Sequence, residues 1–152
     1  MCRWCVKKNG SQADQALGRS KGGFSTKIHV SVDGLSNPLR FILTAGQRND
    51  ITQAEALIVD LDFKRLIADK GYDADDFIKL IIEQYEAEAV IPPRAKRKEL
   101  RDYDVHLYKE RHLVECFINK IKHYRRIFSR FEKLANRYFS FLSFVGVLIW
   151  LR

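Results

Sequence analysis

The segment YKERHLVECFINKIKHYRRIF, residues 108–128, constrains the fold more than any other part of the chain, because it lacks Gly and Pro and its apolar residues recur at helical spacing. The apolar residues that gather on one side are Leu113, Val114, Phe117, Ile118, Ile121, Tyr124 and Phe128. Tyr108, Arg111, Glu115 and Lys122 follow one another at spacings of three, four and seven. At about 100° per residue these four fall within roughly 60° of one another. The segment therefore predicts one helix with a core face and a face that carries a carboxylate and two cations.

A β-hairpin is predicted over residues 26–46. The stretch TKIHVSVDG alternates apolar and polar residues, turns at Asp33 and Gly34, and is followed by the β-rich run PLRFILTAG. In this pattern Asp33 is a turn residue.

Helices and strands alternate after the hairpin. Asp50, with Gln53 three residues later, has the spacing of a capping box and predicts a helix over residues 51–61. RLIAD reads as a short strand that ends at Asp69, and Asp73 is predicted to cap the next helix, ADDFIKLIIEQY.

AEAVIPP reads as a further strand, closed by two prolines, and an aromatic-rich helix is predicted after Leu134. The order of the elements indicates an α/β domain. Residues 1–23 show neither helical nor strand periodicity. They predict a flexible basic arm, so that folding begins near Phe24.

Charge and cysteine content limit the setting in which the chain works. A formal net charge of +8 suits a polyanionic partner such as DNA, although the same charge also suits a solvated surface. Cys2, Cys5 and Cys116 form no even disulfide framework and favour a reducing cytoplasm. Cys2 and Cys5 could form half of a zinc site, but no second ligand pair follows. The apolar run at 138–151 is shorter than a membrane span, so we expect a buried helix there and no membrane partner.

The pattern Tyr-x2-Arg-x3-Glu-x6-Lys that begins at Tyr108 resembles the signature of bacterial insertion-sequence transposases of the IS4 and IS5 type, members of the DDE nuclease superfamily. GRSKGGFSTKIHV, NPLRFILTAGQRNDITQA, LIADKGYD and VIPPR also resemble successive blocks of an IS5-like transposase. The resemblance covers residues 17–152 and keeps the order of the blocks.

This resemblance implies a ribonuclease-H-like mixed sheet flanked by helices. In that fold a first strand, which bears the first catalytic Asp, precedes the Gly-Arg-Ser block, where this chain has only its polar arm. We therefore expect an incomplete fold, with residues 1–23 as the arm and 24–152 as a partial catalytic domain. The expected strand is central in the sheet, so its loss would leave unpaired backbone groups. The arm could fill the gap, a second polypeptide could supply the strand, or the domain could be partly molten.

The resemblance also implies a chemistry, two-metal phosphoryl transfer, in which three carboxylates hold two Mg²⁺ ions. Asp69 corresponds to the second carboxylate and Glu115 to the third. Without the family context, Asp69 reads as a turn or cap residue and Glu115 as an exposed side chain neutralised by Arg111. With the first Asp absent, we expect the isolated chain to be inactive or severely impaired.

The resemblance also implies that the cations on the face of Glu115 contact DNA. Lys122 would contact DNA near the cut, while Arg111 and Tyr108 could position phosphates or orient Glu115. Arg125 and Arg126 could extend this track or simply be solvated.

The partners implied are the terminal inverted repeats of the element, target DNA, and an upstream-frame polypeptide or a second copy of the chain. Two origins of the chain stay open: it is the second half of a frameshifted transposase, or it is the remnant of an inactivated element. A second function is also open, in which the chain binds DNA without catalysis and regulates transposition.

Overall fold

The computed structural model describes residues 15–20, 23–97 and 100–152. The strands in these ranges are β1 (Gly18–Ser20), β2 (Gly23–Val32), β3 (Pro38–Ala45), β4 (Arg65–Ile67) and β5 (Glu88–Val90). The α-helices are α1 (Ala54–Ile58), α2 (Asp75–Gln84), α3 (Val105–Tyr108), α4 (His112–Lys122), α5 (Arg125–Phe128) and α6 (Ala135–Trp150). Short 3-10 turns lie at Asp50–Gln53, Lys70–Tyr72 and Lys109–Arg111. The fold is mixed α/β, as the order of elements predicts.

The predicted hairpin is confirmed. β2 and β3 pair antiparallel, with Thr26 opposite Ala45. The Asp33 carboxylate accepts the backbone N–H groups of Leu35 and Asn37, both at 2.8 Å. Asp33 is thus the turn residue that the sequence indicates.

The hairpin lies between two apolar clusters because successive side chains point to opposite faces. Ile28 and Val30 pack on one face against a cluster formed by α4, α5 and α6, which includes Phe117 and Leu142. Ile42 packs on the other face against a cluster built from α1 and α2. One sheet therefore organises both cores.

β4 and β5 pair in parallel, as expected for strands joined through a helix, and α2 packs beside them. The five strands form two sheets in the described residues: a three-stranded sheet in the order β1-β2-β3 and a two-stranded sheet of β4 and β5. Two small sheets thus stand where the sequence analysis expected one mixed sheet.

Two predicted helix caps are wrong. Asp50 begins a 3-10 turn and makes no cap, and only residues Ala54–Ile58 of the predicted helix 51–61 are α-helical. The Asp50 carboxylate instead lies 3.0 Å from the Lys27 ammonium of β2. The N-cap residue of α2 is Ala74, whereas the side chain of Asp73 is buried in a group of arginines described below. In both places a partner distant in sequence competes with the local cap for the carboxylate.

Ordered structure begins before Phe24, where the sequence predicted its start. β1 pairs antiparallel with the first residues of β2, with Gly18 opposite Ser25. Arg130 donates to the backbone oxygen of Gln15 at 2.8 Å, so this segment is also attached to the C-terminal helices. Residues 1–14 and 21–22 of the predicted arm lie outside the described residues, and the division at residue 23 stays a prediction.

The predicted helix over 108–128 is interrupted. A 3-10 turn at Lys109–Arg111 separates α3 from α4, and Tyr124 leaves the helical conformation with φ −89° and ψ 95° before α5. This bend buries Ile127, which is 3% exposed, and turns Phe128 outward at 68% exposure. The prediction that Phe128 belongs to the core is therefore wrong, because the helical period is lost at Tyr124.

The predicted C-terminal helix is confirmed as α6, and its buried face includes Tyr138, Leu142 and Val145. The backbone passes close to β3 at Gly146, where an added Cβ would lie 3.1 Å from the ring of Phe41. Among the described residues, no helix has the length and apolar character needed to cross a membrane.

Candidate functional site

Asp69 stands just beyond the end of β4. The last sheet bond of this strand runs from the Ala68 N–H to the Val90 oxygen at 3.3 Å, and the chain then enters the 3-10 turn at Lys70–Tyr72. The side chain of Asp69 is exposed, and no group in the described part of the chain donates a hydrogen bond to its carboxylate. Within the described residues, both carboxylate oxygens of Asp69 therefore lack a hydrogen-bond donor.

A cavity of about 590 Å³ lies beside Asp69. Its walls include residues 30–34 from β2 and the hairpin turn, residues 65–69 from β4, and Arg111. Most of the other lining side chains are apolar, among them Leu57 and Val114. Asp69 and Arg111 thus share the wall of a largely apolar space.

Arg111 pairs with one of the two predicted carboxylates. Its Nη2 donates to Glu115 Oε1 at 2.7 Å across one helical turn. The hydrogen bond to Glu115 raises the pKa of Arg111, and the negative charge of Asp69 raises it further. Asp69 and Arg111 therefore line one cavity, and Arg111 pairs with Glu115, while no hydrogen bond or ion pair joins Asp69 to Arg111 in the described residues.

Tyr108 completes this group. The Arg111 guanidinium lies 5.9 Å from the centre of its ring, and Tyr103 packs edge-on against it with ring centres 5.6 Å apart. Burial raises the pKa of Tyr108; the charge of Arg111 opposes that shift and the charge of Asp69 adds to it. Tyr108 keeps its proton at neutral pH and can act as a hydrogen-bond donor.

Whether these residues suit a divalent cation depends on the number of free oxygen ligands. Carboxylates are appropriate ligands for Mg²⁺. However, the described residues contain no group of three or more His, Cys, Asp or Glu side chains placed to hold a metal ion. One oxygen of Glu115 also accepts from Arg111. The residues that the structure describes therefore do not form a complete two-metal site.

The predicted DNA-contacting cations lie on two helices, with Lys122 on α4 and Arg125 and Arg126 on α5. Lys122 lies in the last turn of α4, is exposed, and donates to Asn119 at 3.2 Å. Arg125 lies 5.8 Å from the Phe131 ring and Arg126 lies 5.1 Å from the Phe141 ring. The bend at Tyr124 interrupts the helix between Lys122 and these two arginines, and their contact with DNA stays a prediction.

A group of residues around Asp73 was missed by the sequence analysis. The buried carboxylate accepts the backbone N–H of Arg94 at 2.8 Å and the Arg101 guanidinium at 2.6 Å, and it also pairs with Arg97. Arg94 also donates from its side chain to the Gly71 oxygen at 2.7 Å, within the turn that follows Asp69. The basic run at 94–101 was visible in the sequence, but nothing local indicated that it folds back onto Asp73.

Comparison with known proteins gives a consistent result. Residues 4–146 match the family model of the transposase DDE domain. A protein of Brucella ovis assigned as the transposase for insertion sequence element IS6501 is 40% identical over 129 residues, which cover 84% of this chain and 99% of that protein. A protein of Burkholderia cepacia assigned as the transposase for IS402 is 30% identical over 159 aligned positions, which cover 97% of this chain and 70% of that protein. No solved structure matches the chain.

Proposed function

This chain belongs to the transposase DDE domain family, and from that premise we propose that it is the C-terminal catalytic portion of an IS5-like transposase. The complete protein would cut and join the DNA ends of an insertion sequence. The observation that carries this proposal is the placement of Asp69, which lines the same cavity as Arg111, the partner of Glu115. The order of strands and helices is compatible with a partial ribonuclease-H-like domain over residues 24–152.

Asp69 and Glu115 are the proposed second and third carboxylates. In the complete protein they would hold Mg²⁺, which supplies activation of a water or hydroxyl and stabilisation of the leaving oxygen when bound. Arg111 has its own role in this proposal: it holds the Glu115 side chain against α4 and reduces repulsion between the two carboxylates. Tyr108 would orient the Arg111 guanidinium through the face of its ring.

DNA binding is assigned to the exposed cations near the bend at Tyr124. Lys122, Arg125 and Arg126 lie on α4 and α5, on either side of this bend, and would follow the phosphates of a curved backbone. Terminal inverted repeats and target DNA are the proposed substrates. Work on chromosomal DNA would place the protein in the cytoplasm.

The isolated chain is proposed to be inactive, because its described residues supply two of the three carboxylates that the reaction needs. An upstream-frame polypeptide is the proposed source of the remaining part, and a homodimer would be needed to hold two element ends.

The test combines DNA cleavage with DNA binding by the purified chain. We expect no cleavage of terminal-repeat DNA in Mg²⁺, while binding persists and is weakened by Lys122→Ala with Arg126→Ala. Glu115→Ala is the matched variant on α4 that removes a carboxylate instead of a cation. Cleavage by the isolated chain that Glu115→Ala abolishes would disprove the proposed inactivity. Absence of DNA binding in every form would disprove the assigned DNA surface.

A second function, regulation of transposition by a chain that binds DNA but does not cut it, is favoured by the Arg111–Glu115 ion pair, which neutralises the carboxylate. The two functions differ in their response to the missing part of the protein. If the chain cleaves DNA once the upstream polypeptide is added, and Asp69→Asn prevents this, the catalytic proposal holds. If the complete mixture binds DNA and still does not cleave it, the regulatory function is the correct one.

A further inference from the structure

Two phenylalanines are exposed between the helices α5 and α6. Phe128 ends α5 and is 68% exposed, and Phe131 lies three residues later and is 58% exposed. Neither ring belongs to the two apolar clusters that form the cores of the described structure. An apolar ring in water is less favourable than a covered one, so a ligand that covers these rings would gain free energy of binding.

The chain around these rings is strongly basic. Residues 120–137 carry seven Lys or Arg side chains and a single acidic side chain, Glu132. The carboxylate of Glu132 offsets little of this charge at the surface, because its side chain is only 15% exposed and Oε1 lies 3.6 Å from Nη1 of Arg126. The segment therefore presents a positive surface that favours a polyanionic ligand.

Arg130 is the cation of this segment that the fold itself uses. Its guanidinium donates to the backbone oxygens of Gln15 at 2.8 Å and Glu132 at 3.0 Å, and it lies 5.2 Å from the centre of the Tyr138 ring. These contacts hold the turn that carries Phe131. Three other cations are exposed and form no ion pair within the described part of the chain: Arg125, Lys133 and Arg137.

The ring of Phe131 and these three cations lie side by side. The Arg125 guanidinium is 5.8 Å from the centre of the Phe131 ring. A hollow of about 480 Å³ beside this ring is lined by Phe131, Glu132, Lys133, Leu134 and Arg137. This volume is within the range of sites that hold small ligand groups. An aromatic ring therefore shares one open hollow with two cations, and a third cation lies against the same ring.

The combination of exposed rings and cations favours unpaired nucleotides over paired ones. The phosphates of any nucleic acid can neutralise Lys and Arg. An aromatic ring, by contrast, can stack only on a base whose face is open, and inside a duplex the neighbouring bases cover both faces. Proteins that bind single strands combine a cationic groove with aromatic side chains in this way. Phe128 and Phe131 would have no comparable use against the phosphates of an intact duplex.

We propose that Phe128 and Phe131 stack on unpaired DNA bases, while Arg125, Lys133 and Arg137 contact the phosphates of the same strand. The proposal rests on the proposed function, because that function supplies DNA as the substrate. It adds the state of the DNA that this surface recognises, which is a strand end or a locally opened stretch and not an intact duplex.

The experiment measures binding of the purified full chain to fluorescently labelled DNA by anisotropy. One probe is a single strand of about 16 nucleotides, which matches the largest site size of single-strand modules, and the other is a terminal-repeat duplex of the same length. Phe128→Ala with Phe131→Ala should weaken binding of the single strand at least about tenfold and change binding of the duplex less than about twofold. Circular dichroism checks that this variant is folded, as expected for two exposed positions.

Three further variants separate stacking from other effects. Phe128→Trp with Phe131→Trp keeps the aromatic faces and should retain binding of the single strand, whereas the corresponding double Leu variant keeps only apolar bulk and should weaken it. Phe144→Ala removes a ring of similar exposure, 61%, from α6 about two turns beyond Arg137 and should have no effect.

The cations are tested by Lys133→Ala with Arg137→Ala. This variant should weaken binding of the single strand and reduce the dependence of its affinity on salt concentration, because fewer phosphate contacts release fewer counterions. An unchanged salt dependence would contradict the assigned phosphate contacts.

Four results would overturn the proposed stacking site. The first two are full retention of single-strand binding in the double Ala variant and full retention in the double Leu variant. The third is loss of binding to phosphatidylserine vesicles in the Ala variant with DNA binding unchanged, which would identify a membrane surface. The fourth is full displacement of the single strand by an equal concentration of thymidine monophosphate, which would identify a free nucleotide as the ligand.

Failure of the stacking site is distinguishable from failure of the proposed function. If any of the four results occurs while the original chain still binds the terminal-repeat duplex, the stacking site is wrong and the proposed DNA surface stands. If the original chain binds neither probe, the proposed DNA surface is wrong and the stacking site fails with it.

Discussion

The carboxylate of Asp73 lies 2.8 Å from the backbone nitrogen of Arg94, 21 residues later in the chain. The same carboxylate pairs with Arg97 and Arg101, and its side chain is 1% exposed. A buried carboxylate with several donors orders the segments that supply them. In this protein, Asp73 ties the basic segment after β5 to the turn that presents Asp69.

Asp73→Ala is expected to destabilise the protein by about 2–4 kcal/mol, because it removes the acceptor of three donors in a buried place. The free energy of unfolding in urea, followed by circular dichroism, measures this loss. Asp76→Ala is the matched control, since Asp76 is exposed in the first turn of the same helix and should cost less than about 1 kcal/mol. Equal losses in the two variants would contradict the structural role of Asp73.

The pH dependence of stability should also report on Asp73. Burial by itself would raise the pKa of Asp73, but the Arg94 N–H and the two guanidiniums together hold it below the ordinary value of 3.8. A lowered pKa in the folded state stabilises the protein above the unfolded-state value, and this contribution is lost as the pH falls through the folded-state value. Asp73→Asn should flatten the loss of stability below about pH 4. An acid unfolding profile that keeps its original slope in this variant would be evidence against the assignment.

Asp73 also shows where the sequence could not predict the structure. An Asp two residues before a helix has the local pattern of a cap, and helix α2 does begin where expected. The arginines that take its carboxylate lie 24 and 28 residues further along the chain. No periodicity or spacing encodes such a pairing, so only the tertiary structure identifies it.

The hairpin could be predicted from local sequence, whereas the interruption of the long helical segment could not. The hairpin was predictable because the alternation from Thr26 to Val32 and the turn at Asp33 are both local signals. The bend at Tyr124 carries no Gly or Pro, and it forms where packing against α6 buries Ile127. The candidate site was predicted in part for the same reason: Arg111 and Glu115 are neighbours on a helix and pair as expected. Lys122 and Arg125 are separated by the bend.

His29 should produce a second pH dependence near neutrality. Its ring is 3% exposed on β2, and Nε2 lies 2.7 Å from Thr44 Oγ1. Burial lowers the pKa of His29 from 6.5, Asp50 opposes this shift and Lys27 adds to it. Because the folded state then binds fewer protons than the unfolded state, stability should fall as the pH drops below about 6.5.

His29→Gln retains a side chain that can bond Thr44 but does not titrate. The difference in unfolding free energy between about pH 7.5 and about pH 5.5 should therefore be smaller in this variant. His123→Gln, at an exposed position after α4, is the control and should keep the original pH dependence. If His123→Gln removes the dependence and His29→Gln does not, the assignment to the buried histidine is wrong.

The close approach of α6 to β3 predicts a steric limit at Gly146. An added Cβ would lie 3.1 Å from the Phe41 ring and 3.4 Å from Pro38, so a β-branched side chain does not fit without displacing β3. Gly146→Val should destabilise the protein by about 1–3 kcal/mol in urea unfolding. Ser140→Val places the same residue at an exposed position of the same helix and should cost less than about 1 kcal/mol. A neutral or stabilising effect of Gly146→Val would show that the helix and the strand can move apart at no cost.

We expect that Asp69 and Glu115 make no contribution to the effect of Mg²⁺ on the unfolding temperature of the isolated chain. A cation stabilises a folded protein only to the extent that it binds the folded state. Here Asp69 offers one free carboxylate, Glu115 shares an oxygen with Arg111, and the described residues bring no third carboxylate to them. Two carboxylates, one of them paired with Arg111, hold Mg²⁺ weakly, because the ion gives up its water reluctantly.

Thermal unfolding at increasing Mg²⁺ concentration checks this expectation in the original chain and in Asp69→Asn and Glu115→Gln. Glu83→Gln, at an exposed position of α2, measures the general effect of removing one negative charge. All four proteins should respond to Mg²⁺ alike, through screening alone. An increase in unfolding temperature that appears in the original chain and in Glu83→Gln, but in neither site variant, would show that two carboxylates are sufficient for a cation site. In that case weak metal binding could not be the reason for the proposed inactivity, because a cation would already be bound.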